Sequence, residues 1–379
     1  MDERPVAGKF RGGLTGEPRV IRLEPRTEPS PWSAATSSVL ALAVTVALGA
    51  LLFLVLGKDV LGCLKMFFVE PIRSPRAIAE LSIKAGPLLL IGLGLSLCFR
   101  ANVWNIGAEG QFILGSIFAT GVALRATPES GTGLLIALLI AGALGGALWA
   151  SITALLRDRG NASEILVSLM LVYVAEQLLS YLVNGPWKDP NGYNFPQTVS
   201  FLSSARIPRL VQGSRANIGV LLALLSAAGC WLFVHKSYAG YRLDVAGLSP
   251  AAARYAGFSA RSALWLPLLV SGALAGLAGA LEVAGPDGQL TTHVPLGYGF
   301  AAIIVAFVGR LDPLGVTLSS VLMSMFFIGG ELSQSRLGLP KSITGVFQGL
   351  LLFSLLTCDA LLKNKLRFVA SNRTRAVAK

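Results

Sequence analysis

A compact group of polar residues interrupts two strongly apolar stretches in the first third of the chain. Its polar members are Trp104, Asn105, Glu109 and Gln111. The flanking residues 85–98 and 112–124 carry no charge. Carboxylates and amides near lipid depth persist only where protein or a water-filled cavity satisfies their hydrogen bonds. The pattern predicts a broken helix beside a transport pathway; the alternative is a solvated turn between two spans, with its tryptophan at the membrane interface.

A second polar set lies in the apolar run at residues 165–183. Its members recur every three or four residues and therefore share one helix face: Tyr173, Glu176, Gln177, Ser180 and Asn184. Two interpretations remain open for this face. It lines a pathway for a polar solute, or it packs on another helix through hydrogen bonds.

A third motif, within residues 241–257, has the signals of a short, rigid helix. Ser249 is a favourable N-cap, Pro250 suits the first helical position, and Gly257 suits the end. The candidate contact residues are Leu248, Ser249, Pro250, Ala251, Ala252, Ala253, Arg254, Tyr255 and Gly257. A solvated loop does not need such a helix, whereas a knob that docks into a partner's groove does.

Composition places these motifs in a polytopic membrane protein. The chain has 379 residues, of which 53% are hydrophobic and only 14% charged, against about 25% charged in a soluble domain. The net charge of +12 lies in tails and loops rather than beside aromatic residues on one face, which favours membrane topology over nucleic-acid binding. The four cysteines have no close spacing and there are only two histidines, so neither a disulfide framework, nor a metal site, nor a cofactor is expected.

The apolar runs predict an all-α fold of about ten transmembrane helices. The predicted spans are residues 33–57, 85–99, 104–124, 133–156, 165–183, 217–234, 262–284, 298–308, 314–330 and 343–362. The second and third reach the roughly 20 residues of a straight span only if the polar motif lies partly inside the membrane. Residues 58–84 are expected to form an extramembrane loop with short helical pieces.

Three regions follow from these runs: a disordered basic tail at 1–32, a transmembrane domain at 33–362 and a basic tail at 363–379. Ten spans place both termini on one side, and the basic tails place that side in the cytoplasm. A broken helix at 85–124 is matched in pattern by one at 262–308, which Gly285-Pro286-Asp287-Gly288 interrupts. This symmetry predicts inverted-repeat halves, as in many transporters.

Six stretches support a family resemblance, and the NIGAEGQ and GLSPAAARYAG motifs among them are specific: FRANVWNIGAEGQFILG (99–115), NASEILVSLMLVYVAEQLLSYL (161–182), VAGLSPAAARYAGF (245–258), SGALAGLAGALEVAG (271–285), GYGFAAIIVAFVGRLDPLG (297–315) and GVFQGLLLF (345–353). With them, the chain resembles the permease subunits of ATP-binding-cassette (ABC) importers over roughly residues 83–356. These subunits form a group of branched-chain amino acid, ribose and nucleoside permeases. Within this group, the chain is most similar to the nucleoside branch, which is linked to "basic membrane proteins". It departs from the family pattern at Ser249-Pro250-Ala251, where Asn-Pro-Glu is usual, and at Glu176, where an acid is unusual.

The resemblance implies a permease of the bacterial inner membrane that imports a small polar solute, such as a nucleoside or sugar-like molecule. It implies three protein partners: an ATPase that docks on the 248–257 helix, a second permease in a heterodimer or homodimer, and an extracytoplasmic solute-binding protein. The sequence has no G-x-x-x-x-G-K-[ST] phosphate loop, so ATP hydrolysis is assigned to the ATPase and the chain is not expected to be an enzyme. The alternative function is a secondary transporter or channel, which would not need the projecting helix.

Overall fold

The computed structural model describes residues 19–25, 33–210 and 214–370. The elements in chain order are β1 (Arg19–Pro25), α1 (Ser33–Val55), α2 (Val60–Phe68), α3 (Pro75–Arg100), α4 (Ala108–Ala123), α5 (Thr132–Gly160), α6 (Glu164–Asn184), α7 (Gly219–Lys236), α8 (Tyr238–Leu248), α9 (Pro250–Tyr255), α10 (Ala260–Glu282), α11 (Tyr298–Val308), α12 (Pro313–Leu337), α13 (Ser342–Lys363) and β2 (Asn364–Ala370). A π-helical turn, Val283–Asp287, extends α10.

The predicted all-α membrane fold is confirmed. Within the described ranges, eight helices are long and apolar enough to cross a membrane: α1, α3, α5, α6, α7, α10, α12 and α13. The other two predicted spans are shorter helices, α4 with 16 residues and α11 with 11. Helix α4 begins within the first predicted break, and α11 begins ten residues after the second, at Tyr298.

The chain divides into two compact units, of which the smaller contains residues 1–42 and 354–379. Within it, β1 and β2 pair antiparallel, with Arg19 opposite Ala370 and Pro25 opposite Asn364. Residues 19–25 thus lie in a two-stranded sheet, and the division into a disordered N-terminal tail, a membrane domain and a C-terminal tail stays a prediction. Residues 1–18, 26–32 and 371–379 of the predicted tails lie outside the described residues.

The larger unit, residues 43–353, is built around α3. Of the residues in the apolar stretch of α3, 89% are buried, because α7, α10, α11 and α12 all pack against it. Beside α3, the helices α4, α5 and α10 cross at glycines, whose lack of a side chain lets the backbones approach closely. A Cβ on Gly276 of α10 would lie 2.2 Å from the carbonyl oxygen of Gly142 of α5.

The second span is longer than predicted. Helix α3 begins at Pro75, where the Ser74 hydroxyl accepts a hydrogen bond from the Ala77 amide (3.2 Å), and it runs for 26 residues. The predicted shortage of length is therefore wrong for this span. The charged residues of its first turns favour a loop when the sequence is considered alone, but Lys84 forms an ion pair with Glu331 of α12 at 2.8 Å. The Ser74 cap starts the helix within residues that were assigned to a loop, and the ion pair supplies Lys84 with a countercharge there.

Candidate functional site

The segment between α3 and α4, residues 101–107, is non-helical and largely buried. Asn102 has a left-handed backbone (φ 55°), which turns the chain back toward the helix bundle at the end of α3. Trp104 stays partly exposed, and its ring centroid lies 5.3 Å from that of Phe99 and 6.2 Å from that of Phe307. The tryptophan thus lies at the exposed edge of the non-helical segment, and the polar residues after it are buried in the helix bundle.

Asn105 and Gln111 satisfy each other across this break. Each side-chain amide donates to the other's carbonyl oxygen at 3.0 Å, and the Asn105 amide also donates to the Ser271 hydroxyl of α10 at 3.0 Å. Both side chains are buried. A solvated turn does not describe these residues, because their hydrogen bonds are made with protein groups.

Glu109 joins the two broken helices. Its carboxylate is 1% exposed and accepts hydrogen bonds from the backbone amides of Gly297, at 2.9 Å, and Gly299, at the start of α11. The first amides of a helix have no partner within the helix, and the helix dipole favours a negative group there. A side chain at the first break therefore caps the helix at the second break. The sequence pattern predicts both breaks but not their contact.

The polar face predicted on α6 is divided by the structure. Tyr173 and Gln177 are exposed on this single chain, whereas Glu176 is half-buried and close enough to Glu109 to interact with it electrostatically. Asn184 donates to the Ser180 carbonyl at 2.9 Å, within the same helix. Exposed polar groups within a membrane span indicate a face that another protein or water covers.

The start of α6 also contacts the break. The Ser163 side chain makes no capping hydrogen bond. Instead, the buried carboxylate of Glu164 pairs with Arg157 and accepts a long hydrogen bond from the Trp104 amide (3.5 Å). This glutamate therefore connects α5 and α6 to the non-helical segment.

The short helix predicted from Ser249 and Pro250 is present as α9. The Ser249 hydroxyl accepts a hydrogen bond from the Ala252 amide at 3.3 Å. At the other end Gly257 is left-handed (φ 76°), and its amide bonds the Arg254 carbonyl at 3.0 Å. The next amide, of Phe258, bonds the Ala253 carbonyl at 2.9 Å, which completes the hydrogen-bond pattern of a glycine-terminated helix.

The predicted contact residues, on α9 and at the end of α8, differ in their exposure. Tyr255 is 97% exposed and Leu248 is 87% exposed, whereas Ala253 is buried against the rest of the unit. Ala251, Ala252 and Arg254 are also exposed. An aromatic ring and a leucine so fully presented to solvent are typical of anchors for a partner.

Sequence reasoning missed the clamp that holds this region to the membrane helices. Helix α8, which was not predicted, carries Asp244, whose carboxylate accepts two hydrogen bonds from Arg100 at the end of α3, at 2.7 and 2.8 Å. The same guanidinium donates to the Leu311 carbonyl, between α11 and α12, at 3.2 Å. Two sequence signals point to the pair: Arg100 ends an uncharged run, and Asp244 is the single acid between residues 241 and 257.

The chain is similar to known transport proteins. The family described as "Branched-chain amino acid transport system / permease component" matches residues 77–356. The glucose ABC transporter permease protein TsgB13 of Haloferax volcanii is 33% identical over 89% of this chain and 91% of its own length. The guanosine ABC transporter permease protein NupP of Bacillus subtilis is 30% identical over 81% and 89%.

The nucleoside ABC transporter permease protein NupB of Lactococcus lactis is 28% identical over 83% of this chain and 88% of its own length. The family match contains both breaks, the Arg100 clamp and α9. The chain therefore belongs to the branched-chain amino acid transport system permease family and is a multi-pass permease component of an ABC importer.

Proposed function

We propose that this permease imports a nucleoside or sugar-like solute and takes its energy from ATP that a separate ATPase subunit hydrolyses. The observation that carries the proposal is the junction of α8 and α9, where the capped helix α9 exposes Tyr255 and the end of α8 exposes Leu248, within a chain of the ABC permease family. A permease without a phosphate loop obtains energy from ATP only through contact with the ATPase.

The names of three relatives support the solute class. They name glucose, guanosine and nucleosides, all of which carry several hydroxyl groups. Within the proposed pathway, Trp104, Tyr173, Glu176 and Gln177 supply stacking and hydrogen-bonding groups for such a solute. Asn105, Glu109 and Gln111 form its supporting wall, since their hydrogen bonds hold the two breaks in place.

The partners follow from the surfaces that the single chain leaves open. A second permease, identical or different, covers the polar face of α6, and the solute-binding protein docks at the opposite end from α9. The bilayer is the bacterial inner membrane, with both termini in the cytoplasm. Pairing of β1 with β2 supports this topology, because paired strands from the two ends of the chain must lie on the same side of a membrane.

A mechanical route connects α9 to the breaks. Movement of the ATPase displaces α9 and the adjoining α8, and the Asp244–Arg100 pair transmits the displacement to α3. Arg100 also bonds the Leu311 carbonyl, and α11 is held at its other end by Glu109. The coupling surface and both broken helices therefore move as connected parts.

The test is the removal of the anchor. Tyr255→Ala or Ala252→Arg should leave the membrane domain folded, because both side chains face solvent. Each should weaken association with the ATPase, by about 2 kcal/mol for the loss of an aromatic anchor, and should lower solute uptake in parallel. Co-purification of the ATPase and uptake of radiolabelled guanosine and glucose are the measurements.

The matched control is Tyr193→Ala, which removes an equally exposed tyrosine (94%) from the loop that follows α6, at the other end of the unit. It should retain full association with the ATPase. Full association and uptake in both α9 variants would place coupling elsewhere. Uptake by the wild-type chain without any ATPase would instead favour a secondary transporter or channel.

A further inference from the structure

A cavity of about 430 Å³ lies directly behind α9. Its walls come from the end of α5, from α8 and α9, and from the start of α10, and residues 101–103 line it next to the broken segment. Its volume is in the range of cavities that bind small molecules or inserted side chains, about 300–1,000 Å³. None of the roles described above uses it.

The cavity has an excess of positive charge. Four arginines line it, Arg157, Arg242, Arg254 and Arg261, against one carboxylate, Asp158. The acid is already occupied, since it accepts bonds from the Arg261 guanidinium at 2.6 Å and the Trp265 indole at 3.0 Å. Arg157 is paired with Glu164 outside the cavity.

Arg242 and Arg254 therefore remain without an acidic partner among the described residues. The Arg242 guanidinium lies over the rings of Tyr238 and Phe258, at 5.9 and 5.6 Å from their centroids. Arg254 donates only to the Pro250 carbonyl of its own helix, at 3.4 Å. Two arginines that line one cavity and have no carboxylate partner favour the binding of an anion there.

The position of the cavity identifies the source of that anion. Arg254 lies on α9 next to Tyr255, so the cavity is continuous with the proposed ATPase contact. A partner that docks on α9 brings its own side chains to the cavity mouth. Resting on the proposed function, we infer that a carboxylate side chain of the ATPase subunit inserts between Arg242 and Arg254.

This contact extends the coupling surface from α9 to α8 and to Asn102 at the start of the broken segment. A carboxylate held by arginines from two helices moves both helices together, and bidentate arginine contacts fix its direction. The site thereby places the ATPase carboxylate in a cavity that residues 101–103 also line, in addition to the route through Arg100.

The association test uses the full complex in nanodiscs of zwitterionic lipid. Arg254→Glu and Arg242→Glu should each weaken ATPase association about tenfold or more, and the salt dependence of binding should decrease. The matched control is Arg159→Glu, an exposed arginine at the end of α5 that does not line the cavity, and it should change association less than about twofold.

A second measurement does not depend on loss of binding. Arg254→Lys retains the charge and supplies an amine, so a zero-length carbodiimide cross-linker should join position 254 to an aspartate or glutamate of the ATPase. Arg159→Lys should give no such product. Mass spectrometry of the linked peptides identifies the acid, and its replacement by lysine should restore binding to Arg254→Glu.

Three results would overturn the inference. Charge-reversal variants that bind like the Arg159 control, together with no cross-link at position 254, would mean that the cavity takes no partner carboxylate. Weakening seen only in anionic-lipid nanodiscs would assign the site to a lipid headgroup. If Tyr255→Ala lowers binding in the same assay, only the cavity inference fails; if the wild-type chain binds no ATPase, the proposed function fails with it.

Discussion

At the scale of single residues, Glu109 is the residue on which both broken helices depend. Its carboxylate replaces the missing first hydrogen bonds of α11 from a position at the start of α4. Such a group is costly to bury without partners, and here the partners are backbone amides that would otherwise lack acceptors. The same contact therefore gives the buried carboxylate its hydrogen-bond donors and gives the first amides of α11 their acceptor.

Removal of this carboxylate should destabilise the protein. Glu109→Ala leaves the Gly297 and Gly299 amides without an acceptor, and a buried unsatisfied donor costs about 1–3 kcal/mol. We expect a matching fall in the free energy of unfolding in detergent, together with strongly reduced uptake. Glu109→Gln, which still offers one acceptor oxygen, should lie between the wild type and alanine.

The control for Glu109 is Glu129→Ala, which removes an exposed glutamate from the loop between α4 and α5. It should change stability by less than about 0.5 kcal/mol. Wild-type stability and uptake in Glu109→Ala would mean that the two breaks hold their positions without the carboxylate.

At the scale of elements, the crossing of α4, α5 and α10 supports the breaks. Glycines bring the backbones together: a Cβ on Gly115 of α4 would lie 2.2 Å from the Gly276 Cα, and one on Gly146 of α5 would lie 2.1 Å from the Gly272 carbonyl oxygen. Because α10 also carries Ser271, which bonds Asn105, close packing positions the hydrogen-bond network. Small side chains at this crossing thus determine the geometry of the candidate site.

Gly276→Ala should therefore destabilise the bundle, although alanine is the better helix former. The added methyl would overlap the α5 backbone, and overpacking of this kind costs about 1–3 kcal/mol. Gly229→Ala on α7, where a Cβ meets nothing within 4 Å, is the matched control. It should stabilise by about 0.5–1 kcal/mol through helix propensity alone. Thermal unfolding of the purified variants distinguishes the two, and equal melting temperatures would show that the crossing relaxes freely.

At the scale of the whole molecule, the function depends on which end of the bundle faces the ATPase. Helix α6 has 21 residues, about 30 Å at 1.5 Å per residue, which is the thickness of the hydrocarbon core. The loop that follows it is therefore one membrane thickness away from the break and the Arg100 clamp. In the proposed function, solute entry and ATPase contact then lie on opposite sides.

Topology reporters test this arrangement. Fusions after residues 20 and 370 should report the cytoplasm, and a fusion near Asn191 should report the outside, because the basic tails are retained on the inner side. Alkaline phosphatase and green fluorescent protein fusions give opposite signals on the two sides and check each other. An external C-terminus would contradict both the ten-crossing topology and the proposed contact of α9 with a cytoplasmic ATPase.

The sequence alone determined the features that depend on neighbouring residues. The apolar runs, the two polar breaks and the Ser249-Pro250 cap follow from local hydrophobicity and backbone preferences, and the specific motifs indicated the family. The tertiary structure decided the partners of Glu109 and Arg100, and it placed Arg242 and Arg254 around one cavity. It also decided that Lys84 of α3 is paired with Glu331 of α12, whereas the start of this helix at Pro75 follows the local Ser74 cap. The physical reason is that burial and charge pairing join residues far apart in the chain, and local periodicity contains no information about which distant group supplies the missing hydrogen bond or countercharge.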